Sequence, residues 1–305
     1  MLNDLVGTLG TGIIYALIRV FGRRREPEDV PWLLGPVGGA HIGDSCYQQT
    51  ADAEGLSLQR DAREGGLIPR FAALASPMFD PSRVHPKIRD FYERTSAYRF
   101  DTWATTYFPA RLALSLLVTT ISRKVDQLNF PMDGLDTAHG ITSEIVLLTE
   151  PTGKVRYTGW FRKLQRSGKV IYTGFYMTVR PPLCDGECVK VVFPMPNGNA
   201  TVLLRPENDE GSGLRLASVG RGAGDAGFYR VQREGTGLRV WYVKTLHETF
   251  RLYLDAEDAV RCEHEVRFMG FRVLTLHYRI GLRGGTLGSS TPASLGPPVG
   301  ASPAT

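Results

Sequence analysis

Between Ser143 and Ile280 the chain alternates short runs rich in Val, Tyr, Phe, Trp and Thr with turn signals, and this repetition limits its fold more than any other feature. Strands are predicted over 143–148, 155–164, 170–179, 189–193, 201–205, 214–219, 227–231, 238–246, 250–254, 260–268 and 272–280. β-Branched and aromatic side chains suit a pleated, half-buried surface. The breaks carry Pro151-Thr152-Gly153, Ser167-Gly168, Asp185-Gly186, Asn197-Gly198 and Asn208 to Gly211, residues that reverse a chain because Gly, Asn and Asp tolerate positive φ. This many short strands joined by hairpins give an antiparallel meander, which closes into a barrel or folds into a sandwich. Pro194 and Pro196 place the Asn197-Gly198 hairpin at an edge or rim, because proline donates nothing to a ladder.

Alternation says which way side chains point. In 260–268, Arg261, Glu263, Glu265 and Arg267 share the solvated face, and Val260, Cys262, His264, Val266 and Phe268 share the inner one. In 272–280, Arg272, Leu274, Leu276, Tyr278 and Ile280 fall on one face, and Val273, Thr275, His277 and Arg279 on the other. Aromatic residues concentrate in the strands, enough to fill a core or line an apolar cavity; Trp160, Tyr176 and Trp241, with His264 and His277, are the candidate ligand-binding set.

Ahead of the strands the signals differ. Residues 1–25 read as an apolar N-terminal helix whose uncharged stretch, about 14 residues, is short of the roughly 20 a spanning helix needs. With Arg23, Arg24 and Arg25 at its end, it suits either a membrane-surface anchor over residues 5–25 or a helix packed on its own domain. It has no positive residue before its apolar run, so no signal peptide is expected. Residues 26–80 are broken by Pro and Gly and read as an irregular segment wrapping a core built elsewhere. Residues 81–131 read as helical: one helix opens at Pro86 with Ile88, Phe91, Tyr92 and Thr95 in phase, and a second runs over 110–128. Residues 132–280 are the antiparallel β domain, and 281–305, rich in Gly, Ser, Thr, Pro and Ala, read as a disordered tail. The expected fold class is therefore α+β: an antiparallel β-barrel or strongly curved β-sheet, lipocalin-like, preceded by two helices and an apolar N-terminal helix.

A net charge of +5 is spread along the chain instead of gathered in a basic stripe with interleaved aromatics, which argues against nucleic acid as a partner. Four cysteines are too few for a disulfide scaffold in 305 residues and suit a reducing compartment. Cys184-Asp185-Gly186-Glu187-Cys188 has one residue too many for the redox spacing and reads as a loop with incidental thiols. Gly220 to Gly227 is glycine-rich but opens no helix, so a hairpin loop is expected there and not a phosphate cradle.

Cys262 and His264, with His277 from the next strand, carry too few ligands at recognisable spacing for a metal, so no metal and no cofactor is expected. His247-Glu248 and His264-Glu265 each lack the second histidine of a zinc protease helix. His264 and His277 are the candidate catalytic residues for proton transfer, with Glu144 a looser one.

The runs HPKIRDFYERTSAYRFDTW, QLNFPMDGLDTAHGITSE, RYTGWFRKL, CVKVVFPMPNGNATVLLRP and LTLHYRI resemble a set of uncharacterised bacterial proteins, and more distantly the soluble C-terminal region of YndJ-type membrane proteins. The likeness spans roughly 85–280 and implies no activity, cofactor or catalytic residue; it implies a bacterial setting, cytoplasmic or peripheral to the inner face of the membrane. The expected function is non-catalytic binding of an apolar or lipid-like small molecule in the β-barrel cavity. The alternatives are an enzyme (isomerase, cyclase or hydrolase) using the same cavity, and a protein-interaction scaffold.

Overall fold

The computed structural model describes residues 12, 15–39, 42–107, 141–165, 168 and 170–283. Its strands are β1 (Arg23–Arg25), β2 (Ser57–Gln59), β3 (Tyr98–Thr106), β4 (Ile141–Thr149), β5 (Val155–Leu164), β6 (Val170–Val179), β7 (Cys188–Met195) and β8 (Gly198–Asp209), followed by β9 (Gly213–Ala217), β10 (Gly227–Glu234), β11 (Gly237–Tyr242), β12 (Leu246–Leu254), β13 (Val260–Phe268) and β14 (Phe271–Leu282). Among the described residues three α-helices accompany them: α1 (15–21), α2 (Cys46–Glu54) and α3 (Pro86–Glu93).

All the ladders are antiparallel and run in the order β2-β4-β5-β6-β7-β8-β9-β12-β13-β14-β3, with a branch β8-β10-β11-β1. The branch exists because β8 is long: its first half pairs with β7 and β10, and its second half, from Arg205, pairs with β9. Among the described residues no ladder joins β2 or β4 to β3, so the sheet is curved and open. Its two ends nonetheless meet through side chains. Phe100 of β3 packs on Trp160 of β5 with ring centroids 5.2 Å apart, and Arg283 donates from Nη2 to the Ser143 carbonyl at 2.6 Å.

Every strand expected from the sequence is present, with two differences. The run 238–246 is two strands, because the chain turns between Tyr242 and Leu246. The hairpin after β7 turns on Pro196 and Asn197, where Asn197 takes φ 56°, and Gly198 already pairs with Met195. Pro194 sits past the end of the β6 ladder, which stops at Val192, so its missing N–H costs nothing: the position is a rim and not an edge.

Residues 81–131 were expected to be helical, and here the structure corrects the sequence. α3 is capped by the His85 side chain, which accepts the Lys87 N–H at 3.2 Å, and it buries Ile88, Phe91 and Tyr92. It ends at Glu93, and YRFDTWATT becomes β3, pairing along β14 from Tyr98↔Leu282 to Thr106↔Leu274. A period of two replaces 3.6 at Tyr98: Phe100 is buried while Asp101 and Trp103 are exposed. The expected helix 110–128 lies outside the described residues, and so does the expected tail 281–305 from 284 on; its first residues, Gly281 and Leu282, are instead the end of β14, paired with Arg99 and Tyr98 of β3. Arg23 to Arg25, expected to finish the N-terminal helix, instead form β1 on the edge of β11.

Both faces of the sheet are covered, and the 26–80 segment does most of the covering. On the outer face α2 lays Cys46, Tyr47 and Ala51 over Val146, Phe161, Phe175 and Val192. Gly159 makes this approach possible, because any Cβ there would strike the Tyr47 ring. A nine-residue helix without a side-chain N-cap does not persist alone; burying such rings contributes about 2–3 kcal/mol each, so packing holds α2 in place. On the concave face Leu67, Ile68, Phe71, Phe79 and α3 pack against Val189, Val191, Phe193, Val202 and Leu216.

Candidate functional site

Alternation along β5, β6, β12, β13 and β14 sends Trp160, Arg162, Tyr172, Tyr176, Glu248, Phe250, His264 and Tyr278 to the same concave face. Three of these are ionisable groups of a kind that rarely enters a core unpaired. Arg162 is 5% exposed, and its guanidinium carbon lies 5.4 Å from the Phe100 ring centre, 5.1 Å from Trp160 and 5.6 Å from Tyr278. Nη2 donates to the Thr102 hydroxyl at 3.2 Å, Nε has no partner, and no carboxylate of the described residues forms an ion pair with it.

Beside it the Tyr172 and Tyr176 hydroxyls share a hydrogen bond of 2.7 Å, and Trp160 donates from Nε1 to Ser143 at 2.7 Å. Gly174 lets the Tyr172 ring fold back over the backbone; a Cβ there would lie 2.7 Å from that ring. His264, 7% exposed, stacks on Phe250 across the β12–β13 ladder, with centroids 3.8 Å apart and planes 14° from parallel. Its Nε2 lies 3.3 Å from Glu248 Oε2 but off the line of a hydrogen bond, so the two form a close ion-pair contact if the ring is protonated.

Electrostatics tie these groups into one cluster. Burial pushes the Tyr278 hydroxyl up to about 12 while Arg162 pulls it down. Burial likewise raises Tyr172 and Tyr176, and the Glu248 carboxylate adds to the rise at all three tyrosines. The hydroxyls therefore stay protonated and act as hydrogen-bond donors. Tyr172, Glu248, Phe250 and Tyr278 face inward yet remain partly accessible, so the concave face opens to water at this point.

The structure thus brings together three of the sequence-selected residues, Trp160, Tyr176 and His264. Trp241 lies on β11, stacked on Phe21 of α1 at 5.7 Å. His277 is exposed on the outer face of β14, beside Trp103 of β3 and Glu263 of β13 in register. Cys262 shares the inner face with His264, and His277 does not. Glu144 is held by Arg60 through two hydrogen bonds of 2.7 and 2.9 Å. No group of three potential metal ligands forms among the described residues. Arg162 is not among the residues that the sequence singles out, and Glu248 enters there only in an incomplete zinc motif, although each stands two residues from an inward aromatic, Trp160 and Phe250; that phase is the available signal.

A hollow, half-open and of about 420 Å³, lies apart from this cluster, on the outer face between Leu33 to Gly35, Asn199 and Leu238. Its Glu54 and Arg156 are paired at 3.2 Å, and Tyr157 donates to Glu54 at 2.9 Å, so these polar groups already have partners. The concave cluster, with its unpaired cation, is the stronger candidate.

Comparison of the chain with protein-family models, with curated proteins and with solved structures finds no match in any of the three.

Proposed function

We propose that the chain is a non-catalytic binder of an apolar, lipid-like small molecule with an acidic head, held on the concave face of a lipocalin-like, barrel-shaped sheet. One observation carries the reading: Arg162 is a buried cation ringed by three aromatic faces with no carboxylate paired to it. Taking a lone cation out of water costs several kcal/mol, and cation–π contacts return only about 0.5–2 kcal/mol each. A ligand carboxylate or phosphate would complete the site, with Tyr172 and Tyr176 as further donors and Trp160 and Phe250 lining the path of an apolar tail. Exposed Val20 and Phe21, followed by exposed Arg23 to Arg25, support delivery at an anionic membrane surface. Among the described residues no helix is long and apolar enough to cross a membrane.

Native mass spectrometry of the purified full chain, with solvent extraction of whatever co-purifies, tests this. The expected result is an acidic amphiphile at one copy per chain, absent from Arg162→Met, which keeps an unbranched apolar stem without the charge. An empty wild-type protein whose melting temperature is unmoved by added fatty acid would contradict the reading.

A second reading, an isomerase, cyclase or hydrolase with His264 as proton shuttle, is favoured by the 3.3 Å approach of His264 to Glu248. A single variant, His264→Gln, separates the two: it keeps ligand affinity if the protein is a carrier and abolishes turnover of the extracted molecule if it is an enzyme.

A further inference from the structure

Two sequence features left aside as bland, the Cys184 to Cys188 loop and the glycine-rich loop 220–227, meet in space. Cys184 follows a turn in which its N–H donates to the Pro181 carbonyl, and Cys188 opens β7. Their sulfur atoms stand 3.5 Å apart, with the Cys188 thiol donating to Cys184. The glycine-rich loop supplies Asp225, whose side chain is fully buried; it accepts the Cys184 thiol at 3.1 Å, the backbone N–H groups of Arg221 and Ala226 at 2.9 and 2.8 Å, and an ion pair from Arg205. The Arg205 guanidinium also reaches Cys184 Sγ at 3.9 Å.

We propose that Cys184 and Cys188 are a redox-active dithiol that a hydroperoxide converts to a disulfide, with Cys184 as the attacking thiol and Cys188 as the resolving one. The assignment of roles follows from geometry. Cys184 is 7% exposed and has two donors on its sulfur, the Cys188 thiol and Arg205, both of which stabilise a thiolate. Cys188 is 1% exposed and donates its proton towards its neighbour. The hydrogen bond from Cys188 lowers the Cys184 thiol against the raising effects of burial and of Asp225, and the same bond, with burial, raises Cys188.

The chemistry balances in two steps. The Cys184 thiolate, its proton released to water, attacks one oxygen of hydrogen peroxide; the O–O bond breaks, Cys184 becomes a sulfenic acid, and the departing hydroxide takes up a proton as water. The Cys188 thiol then attacks the oxidised sulfur; the S–O bond breaks, an S–S bond forms, and the Cys188 proton leaves with the hydroxide as a second water. Two thiols and one peroxide give one disulfide and two waters. The sulfur atoms need to approach by only about 1.5 Å to reach bonding distance, an adjustment within the loop between them. Cys46 and Cys262, buried with their thiols raised by burial and with no second cysteine beside them, serve as internal controls.

The test treats the full chain with one equivalent of hydrogen peroxide, blocks residual thiols with N-ethylmaleimide under denaturing conditions, and maps the peptides. The expected product is a Cys184–Cys188 disulfide, two mass units lighter and reversed by dithiothreitol, with Cys46 and Cys262 fully blocked by the maleimide. In Cys188→Ser, dimedone should capture a sulfenic acid at Cys184; in Cys184→Ser, oxidation of Cys188 should slow by about tenfold or more. Peroxide consumption at Cys46 or Cys262 before the pair, or no disulfide in the wild-type chain, would overturn the proposal, and the wild-type map decides even if a variant fails to fold.

Discussion

Lys190→Met should be more stable than the wild-type chain at neutral pH, and the gap between the two should shrink as the pH is raised. Lys190 is 2% exposed on the outer face of β7, beneath Leu34 and Gly35, and its ammonium donates to the Leu34 carbonyl, with no carboxylate of the described residues paired to it. Burial drives its pKa from 10.5 down to about 7. The sign follows from proton counting: between the folded value near 7 and the unfolded value, the unfolded chain holds a proton that the folded chain has released, so the wild-type fold gains stability as pH rises through that window. The full span is on the order of 4–5 kcal/mol at about 1.4 kcal/mol per pH unit. Urea unfolding of both proteins at several pH values from neutral to alkaline gives the difference directly and cancels the cysteines and tyrosines they share. A gap that narrows by about 3 kcal/mol is expected; a gap independent of pH would mean that Lys190 is charged and solvated in the fold.

The second large effect falls on Asp225. Burial works to raise this carboxyl, but the Arg221 N–H, the Cys184 thiol and the Ala226 N–H outweigh it and hold the group below the ordinary carboxylate range. Asp225→Ala leaves these donors and Arg205 unmet, and breaking such a buried pair costs about 3–5 kcal/mol. Because Arg205 is 31% exposed and regains some water, the low end is expected. The same depressed carboxyl stabilises the fold above the unfolded pKa and loses that contribution as the pH falls through the folded one, so Asp225→Ala should also blunt acid unfolding. A chemical denaturation curve for the variant that lies within about 1 kcal/mol of wild type would show that the knot of donors around Asp225 is incidental.

What the sequence made legible is what local rules govern. β5, β6 and β13 have the predicted bounds because β-forming residues fill them and turn residues close them. β3 was hidden because its first residues continue a helical phase and its partner β14 lies far along the chain; no local signal reports a vacant edge. β1, three arginines in a row, is a strand solely because β11 offers it a ladder. In the site, Trp160, Tyr176 and His264 could be placed from alternation alone. Arg162 and Glu248 are charged residues of a kind that ordinarily faces solvent, and only the curvature that brings β5 opposite β12 and β14 makes them neighbours. The Cys184–Cys188 pair looked incidental because the partner that gives it chemistry, Asp225, comes from a loop 41 residues away.

The central claim is that Arg162 waits on the concave face for an anionic head. Its most direct test is calorimetric titration of hexadecanoic acid and of the corresponding alcohol into the wild-type chain and into Arg162→Met. The account predicts one-to-one binding of the acid, weakened about tenfold or more by the substitution, and an affinity for the alcohol that the substitution leaves unchanged. Equal affinity of both proteins for the acid, or no binding of it to the wild-type chain, would contradict the account.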